Sequence, residues 1–124
     1  MIKIKTKINH RDSRGVIIDL LEKKNINSIT YISQKKGTIR GNHYHKKTVQ
    51  WNYILKGKIQ LFIKRKNIKK KIILKKGNLV ETSKNESHAF KALQNSEFLV
   101  FTQGPRGGKN YEKDTFRLDK PLIK

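Results

Sequence analysis

Three of the four histidines occur where their imidazoles could act together. His43 and His45 are two residues apart in a strand-like stretch, so their side chains project from one face of a strand. Gln50 begins the next strand-like stretch, with Asn52 on the same face, and His88 opens a later one. In a closed β-structure that makes these strands neighbours, the imidazoles of His43, His45 and His88 and the amide of Gln50 would converge on one interior point. Imidazoles can remove protons at neutral pH, and three imidazoles with an amide oxygen can also hold a divalent transition metal.

The pairing of these histidines is what favours a site. A single histidine on a strand is usually a surface residue or a hydrogen-bonded core residue, and we expect His10, which lacks such neighbours, to lie at the surface. Strand alternation predicts that Ile39 and Gly41 share the face of His43, which leaves space in front of the pair. Arg40 is out of phase with His43, so we expect its guanidinium to line the mouth of a cavity or to project from it.

The elements that position these residues are predicted to be strands, because apolar and polar residues alternate at period two. Isoleucines at 2, 4 and 8 predict one N-terminal strand. Further strands are predicted at 16–21, 28–33, 39–45, 49–56, 58–64, 70–74, 79–82, 87–93 and 97–102. Gly57 between two apolar strands predicts a tight hairpin. Many short strands without a long helix predict one all-β domain over residues 1–124, either a sandwich or a closed barrel.

Positive charge dominates the composition. The chain has 30 Lys and Arg against 9 Asp and Glu, a net charge of +21, and 24 of the 30 cations are lysines spread along the chain. A nucleic-acid surface usually favours clustered arginines interleaved with aromatic residues, so we expect solvated strand faces rather than nucleic-acid binding. A basic surface would still draw anionic substrates toward a cleft.

Other protein classes lack support in the sequence. Without cysteine there is no disulfide framework, thiolate metal site or thiol nucleophile. No apolar run approaches the roughly 18–20 residues that span a bilayer, and the N-terminus has no apolar segment typical of a signal peptide. We therefore expect a cytoplasmic protein that does not associate with membranes.

The histidine segment resembles a known family. From Gly37 to Gly57, the pattern of glycine, five residues, His-x-His, then Gln50, six residues and glycine is similar to the first cupin motif, and Gly77 with His88 is similar to the second. Residues 12–15, 30–33 and 40–45 resemble the dTDP-4-dehydrorhamnose 3,5-epimerases and the cupin domain of capsular-polysaccharide epimerase-reductases. Residues 40–46 with Gln50 resemble the sugar-nucleotide 3,4-ketoisomerases. The resemblance covers roughly residues 12–102 and implies an RmlC-like, cupin-type double-stranded β-helix, also called a jelly-roll barrel.

The resemblance implies a function in polysaccharide biosynthesis. The chain would isomerise or epimerise a nucleotide-linked 4-keto-6-deoxy sugar, with His43 or His45 as the base that removes a proton beside the ketone. The other histidine and Gln50 would stabilise the enolate, while Arg40, Gln50, Asn52 and His88 would bind the substrate. Arg40 would contact the diphosphate, although a structural salt bridge is an equal alternative. Cupins of these kinds resemble homodimers, and the apolar face of Trp51, Tyr53 and Leu55 fits a subunit interface as well as a sandwich core.

An alternative function is a metal-binding cupin without sugar isomerase activity, either dioxygenase-like or a small-ligand sensor. His43, His45, Gln50 and His88 would then hold one divalent ion such as Zn, Ni, Fe or Mn. Most metal cupins have a glutamate where this chain has Gln50, and an amide is a weaker ligand.

Two parts of the chain depart from the epimerase pattern. The tyrosine acid expected on the strand after His88 aligns with about Val100, and the aspartate partner of the catalytic histidine is missing from residues 58–64. Tyr44, Tyr53 or Tyr31 could substitute as the acid, but alternation places Tyr44 and Tyr53 on the face opposite the histidines. Residues 104–124 change composition sharply and are expected to form a covering tail or closing strand, with no helix signal after the glycine-rich segment that starts at Gly104.

Overall fold

Antiparallel strands make up most of the chain. The computed structural model describes residues 1–124. The elements are β1 (Ile2–Ile4), β2 (Ile8–Asp12), β3 (Gly15–Ile18), β4 (Ser28–Gln34), β5 (Ile39–Tyr44), β6 (Val49–Lys56), β7 (Lys58–Arg65), β8 (Ile68–Lys75), β9 (Leu79–Thr82), β10 (Ser87–Ala92), β11 (Ser96–Gln103), α1 (Gly108–Lys113) and β12 (Phe116–Arg117).

Two five-stranded sheets form the body. The first has the order β1-β9-β6-β11-β4, the second has the order β12-β5-β10-β7-β8, and β2 pairs with β3 in a separate hairpin. Every strand pair is antiparallel. Apart from the β7–β8 hairpin, neighbouring strands in the two sheets are distant in sequence, as in a jelly roll, so the predicted all-β jelly-roll fold is confirmed.

The core lies between the sheets because alternate residues of the central strands point inward. On β7 the buried residues are Ile59, Leu61 and Ile63, and the intervening positions are half-buried. Six further apolar side chains complete the core cluster, namely Ile54, Leu74, Val80, Phe90, Phe98 and Val100. Lysines occupy much of the outer faces of the sheets. The alternation of apolar and polar residues in the sequence therefore reflects which side chains face the core and which face solvent.

Two predictions about the strands are wrong. The N-terminal isoleucines do not form one strand, because the chain breaks after Ile4 and β1 and β2 join different sheets. Gly57 does not close a hairpin, because β6 and β7 belong to different sheets and do not pair. A single residue is too short for a hairpin loop, and here it turns the chain from one sheet to the other. Gly57 has φ +93°, and a Cβ there would lie 2.5 Å from the Asn95 carbonyl oxygen.

The tail contains a short helix that the sequence pattern does not predict. Helix α1 spans Gly108–Lys113, and β12 then pairs with β5, so the tail closes the edge of the second sheet. Glycines at 107 and 108 have positive φ, and the residues that follow them carry no apolar period. No helix of the chain is long and apolar enough to cross a membrane.

Candidate active site

The structure brings the three histidines together between the sheets. His43 lies on β5 directly opposite His88 on β10, and His45 follows one residue after β5 ends. The ring centroid of His43 lies 4.8 Å from that of His45 and 4.8 Å from that of His88. One ring nitrogen of each histidine lies within 4.8 Å of the others. The strand pairing therefore produces the convergence that the spacing predicts.

These imidazoles adjoin a cavity of about 240 Å³. Its apolar wall consists of Ile32, Phe90, Phe98 and Val100, and its polar lining consists of Arg40, His43, Gln50, Asn52, His88, Arg106 and Tyr111, with the backbone of Gly41. His45 does not line the cavity and is only 2% exposed. His43 and His88 are thus the imidazoles that a ligand in this cavity would meet.

Backbone carbonyls orient two of the rings. Nδ1 of His45 lies 2.8 Å from the Asp114 carbonyl oxygen, and Nδ1 of His88 lies 3.3 Å from that of Glu86. Because a carbonyl oxygen only accepts hydrogen bonds, Nδ1 carries the hydrogen in both rings and Nε2 keeps its lone pair. The Nε2 atom of His45 is buried without a hydrogen-bond partner.

All three imidazoles are held in the neutral form. Burial, reinforced by the neighbouring His45 imidazole and by Arg117, lowers the pKa of His43 to about 4. Burial, with the adjacent His43 and His45, lowers the pKa of His88 to about 3. Burial also lowers the pKa of His45, against the opposing hydrogen bond to Asp114. Near pH 7 His43 therefore has a free lone pair and can accept a proton.

A β-bulge changes which β5 side chains share the face of His43. His88 pairs with His43, but the next residue of β10, Ala89, pairs with Gly41, so Asn42 is an extra residue. Gly41 and Asn42 both have positive φ, at +97° and +57°. Alternation is shifted by one residue at the bulge, so the prediction that Ile39 shares the face of His43 is wrong, while the backbone of Gly41 still lines the cavity beside His43.

The shift brings Arg40 to the cavity side. Arg40 pairs with Phe90, which lies two residues from His88 and lines the cavity as it does. The guanidinium of Arg40 donates to the Ser33 carbonyl oxygen at 3.2 Å and forms no ion pair. Arg40 thus forms no salt bridge in the structure, and it lines the same cavity as His43 although strict alternation predicts that the two residues are out of phase.

The remaining residues of the predicted site separate into two groups. Gln50 is buried and lines the cavity, with no hydrogen bond from its side-chain amide to the protein. Asn52 also lines the cavity, but its amide donates to the Val80 carbonyl oxygen at 3.4 Å. His10 is exposed on the β2–β3 hairpin and hydrogen-bonds Asp12, as expected for a surface histidine.

The tail supplies functional residues that sequence reasoning missed. Tyr111 on α1 lines the cavity, and its ring centroid lies 5.3 Å from that of His45. The guanidinium of Arg106, which also lines the cavity, lies 4.3 Å from the Tyr111 ring centroid. Asp114 docks the tail, because its buried carboxylate accepts hydrogen bonds from the amides of Lys46 and Lys47 and from the Thr48 hydroxyl. Only the composition change at Gly104 signals this segment in the sequence.

The histidine cluster has the donor chemistry of a transition-metal site. Metal-bound histidines usually donate their second ring N–H to a carbonyl or carboxylate, as His45 and His88 do here, and the unpartnered Nε2 of His45 is a free ligand atom. The ring nitrogens lie up to 4.8 Å apart, whereas a tetrahedral ion with bonds of about 2.1 Å needs ligand atoms about 3.4 Å apart. The donor types therefore suit a divalent transition metal, at separations wider than a bound ion would require.

Comparisons with known proteins agree with this architecture. The family model for the polysaccharide biosynthesis C-terminal domain matches residues 10–116. No curated protein sequence matches the chain.

Solved structures with the same fold include sugar-nucleotide enzymes. The sugar 3,4-ketoisomerase QdtA from Thermoanaerobacterium thermosaccharolyticum, in complex with TDP, is 22% identical with a TM-score of 0.80, and the match covers 95% of this chain and 88% of that one. The WlaRB TDP-quinovose 3,4-ketoisomerase from Campylobacter jejuni is 21% identical with a TM-score of 0.76, covering 92% and 88%. The rmlC epimerase from Mycobacterium tuberculosis is 16% identical with a TM-score of 0.77, covering 94% and 67%. At these identities the likeness establishes the cupin-type fold.

Proposed function

We propose that this chain, which belongs to the polysaccharide biosynthesis C-terminal domain family, isomerises a nucleotide-linked 4-keto-6-deoxy sugar by proton transfer beside the ketone. The observation that carries the proposal is a neutral His43 facing a cavity that Arg40 and Arg106 also line. A neutral base next to cationic groups is the combination that proton removal from an anionic keto sugar requires.

His43 acts as the base in this proposal. The C4 ketone makes the C3 proton acidic, and the lone pair of His43 takes that proton. The C–H electron pair forms a C3–C4 double bond, and the carbonyl π pair moves to O4, which becomes an enolate oxygen. The Gln50 amide, free of other side-chain hydrogen bonds, donates to the developing charge. His45 lies behind His43 and does not reach the cavity, so we assign it to positioning rather than to proton removal.

The two arginines bind the diphosphate in this proposal. A guanidinium binds two phosphate oxygens at once, and the net charge of +21 attracts a nucleotide sugar toward the cleft. The Thermoanaerobacterium ketoisomerase has been solved with TDP and, as a mutant in which one histidine is replaced by asparagine, with TDP-4-keto-6-deoxyglucose, which supports this class of ligand. Arg40→Ala should raise KM by at least tenfold with a smaller change in kcat, whereas a purely structural Arg40 would leave KM unchanged.

Exchange of ring protons with solvent tests the activity. The protein is incubated with dTDP-4-keto-6-deoxyglucose in deuterated water, and proton NMR follows the C3 proton and the appearance of the 3-keto isomer. We place 3,4-ketoisomerisation ahead of epimerisation because the match to this chain covers 88% of the length of each of the two ketoisomerases and 67% of the epimerase. His43→Asn should abolish exchange, and His10→Asn, at an exposed histidine outside the site, should leave it unchanged. Absence of exchange with both dTDP- and UDP-linked 4-keto sugars would refute the proposal.

Metal binding without sugar isomerase activity is the second candidate. The unpartnered Nε2 of His45 favours it, since a buried ring nitrogen without a hydrogen-bond partner is costly unless something binds it. His43, His45 and His88, with Gln50 as a weaker fourth ligand, would hold one Zn, Ni, Fe or Mn ion, which would act as a Lewis acid. Elemental analysis of tag-free protein should then find one ion per chain that is lost in His88→Ala, and metal-free wild type would exclude this candidate.

We also propose that the chain forms a homodimer through the outer face of the first sheet. The face of Trp51, Tyr53 and Leu55, which the sequence suggests as an interface, is partly covered. Trp51 is buried, donates a hydrogen bond to Glu81 and lies under the Lys24 ammonium group. Large apolar side chains are exposed instead on the edge strand β4, where Ile29 is 64% and Tyr31 is 55% exposed. An edge strand with exposed apolar residues favours pairing with another chain.

A further inference from the structure

Tyr111 is the only hydroxyl-bearing side chain that lines the cavity of the histidines. The resemblance to epimerases places a tyrosine acid on β11, and the residue there, Val100, lines the same cavity as an apolar wall. The other tyrosines lie elsewhere. Tyr44 stacks on Phe116, and Tyr31 donates a hydrogen bond to Glu97 at the surface. Tyr53 pairs with Leu99, one position along from the pair of Asn52 and Val100 that lines the cavity.

The hydroxyl of Tyr111 is free while its ring is fixed. Its Oη forms no hydrogen bond within the protein, whereas the ring has the His45 imidazole at 5.3 Å and the Arg106 guanidinium at 4.3 Å as neighbours. At the end of α1 the Thr115 hydroxyl donates to the Tyr111 carbonyl oxygen at 2.7 Å, and Asp114 anchors the chain to the turn after β5. A ring with these neighbours and an unbonded hydroxyl is suited to meet a ligand.

The other polar groups of the cavity are unsuited to giving a proton to carbon. Guanidinium groups such as those of Arg40 and Arg106 do not serve as general acids, and the amides of Gln50 and Asn52 are not acids. Apart from the imidazoles, the Tyr111 hydroxyl is the only group of the cavity lining that can transfer a proton.

We propose that Tyr111 is a catalytic residue whose hydroxyl delivers the proton to C4 of the enolate that His43 generates. This rests on the proposed function, and it assigns removal and return of the proton to two groups on two elements, β5 and α1.

The step balances without an oxidant or another co-reactant. The enolate formed by His43 has a C3–C4 double bond, an anionic O4 and a hydroxyl at C3. The double-bond pair forms the new C4–H bond with the Tyr111 proton, the O3–H pair becomes the C3 carbonyl, and the O3 proton goes to O4. The sugar leaves as its 3-keto isomer, and the proton on His43 returns to the Tyr111 oxygen through solvent before the next turnover.

Tyr111→Phe tests the proposal, because it removes one oxygen and keeps the ring beside His45 and Arg106. In deuterated water with dTDP-4-keto-6-deoxyglucose, the variant should still exchange the C3 proton within about threefold of wild type, while formation of the 3-keto isomer falls by at least 100-fold, the range typical of a lost general acid. The matched control is Tyr44→Phe, which removes the same atom from a tyrosine outside the cavity and should behave as wild type.

The outcomes separate this proposal from the function it rests on. If wild type neither exchanges C3 nor isomerises the sugar, the proposed function fails. If wild type is active and Tyr111→Phe isomerises at the wild-type rate, or loses C3 exchange together with isomerisation while its thermal midpoint is unchanged, the assignment of Tyr111 is overturned. A second measurement uses C3-deuterated substrate in ordinary water. Transfer of the C3 deuterium to C4 of the product would show that His43 alone carries the proton and would overturn the assignment of Tyr111.

Discussion

Replacing Asp114 with alanine should loosen the tail from the barrel. Asp114 is 4% exposed, and its carboxylate accepts the Lys46 amide at 3.0 Å, the Lys47 amide at 3.1 Å and the Thr48 hydroxyl at 2.6 Å. Its own carbonyl oxygen accepts the Nδ1 hydrogen of His45. One residue therefore attaches the tail to the turn between β5 and β6 and holds a site imidazole in its tautomer.

The size of the effect follows from these hydrogen bonds. Hydrogen bonds to a charged group contribute roughly 1.5–3 kcal/mol each, and the exposed main chain at Lys46 and Lys47 can regain part of its share from water. Asp114→Ala should then lower the free energy of unfolding by about 3–5 kcal/mol, or the thermal midpoint by about 12–19 °C for a chain of this size. Asp114→Asn keeps one acceptor oxygen for the amides and should cost about 1–2 kcal/mol.

The pH dependence gives the prediction a second readout. Burial raises the pKa of Asp114, but the hydrogen bonds from Thr48, Lys47 and Lys46 outweigh burial and hold the pKa below its usual value. A carboxylate with a lowered folded-state pKa stabilises the protein above its unfolded value near 3.8, and that stabilisation is lost as the pH falls through the folded value. The gap between wild type and Asp114→Ala should therefore be full at pH 7 and shrink below pH 4.

Urea unfolding of wild type, Asp114→Ala and Asp114→Asn at pH 7 and pH 3.5 measures these differences. Asp12→Ala is the control, since Asp12 pairs with Arg14 on the exposed β2–β3 hairpin and surface ion pairs contribute little. If Asp114→Ala unfolds within about 1 kcal/mol of wild type at pH 7, a difference too small for even one such hydrogen bond, the docking role is refuted.

Three further predictions concern the bulge, the histidines and the outer face. Gly41→Ala should destabilise the protein by about 2–4 kcal/mol in urea unfolding, because its Cβ would lie 2.8 Å from the His88 carbonyl oxygen at φ +97°. Gly37 has a similar φ but no atom within 4 Å of its Cβ position, so Gly37→Ala should destabilise the protein less. Equal losses of stability in the two variants would contradict the clash at Gly41. Because burial holds the pKa of His43 at about 4, this imidazole is protonated in the unfolded chain at a higher pH than in the folded protein, starting near pH 6.5. Stability should drop by about 2 kcal/mol from this group between pH 7 and pH 5, and His43→Asn should remove that slope, so an unaltered slope would contradict the lowered pKa. Ile29→Glu should convert a dimer to a monomer in sedimentation velocity, and a monomeric wild type would contradict the proposed interface.

The barrel strands could be predicted because burial there follows strict alternation. Along β11 every second side chain is buried, and the same period is visible in the apolar residues of the sequence. Histidines two residues apart at the end of a strand are expected to share a face, and a third histidine on a later strand is a candidate partner for them. The convergence of the site is thus a local pattern joined to one long-range pairing, that of His88 with His43.

The features that could not be predicted are those in which one residue breaks the alternation or a contact is distant in sequence. Asn42 adds a residue to β5, and nothing in its type marks it as unpaired, so strict alternation predicts the wrong phase for Arg40. Gly57 has the same sequence signature in a hairpin and in a turn between sheets, and only the partners of β6 and β7 distinguish the two. The tail helix shows no apolar periodicity because no apolar face holds it to the core. Its Tyr111 packs against His45 and Arg106, and the carboxylate of Asp114, directly after the helix, anchors the segment.

The tail and the barrel depend on each other for the chemistry of the site. The strands bring three imidazoles together, but burial is the main cause of their lowered pKa values, and the tail contributes to that burial through Tyr111 against His45 and β12 beside His43. Without this cover the imidazoles would be more hydrated, and a larger fraction would be protonated and unable to accept a proton near neutral pH. The same segment provides Arg106 and Tyr111 to the cavity lining. A barrel with the same histidine pattern and a different tail should therefore keep the convergence of the imidazoles and differ in the protonation state and acid chemistry of its cavity.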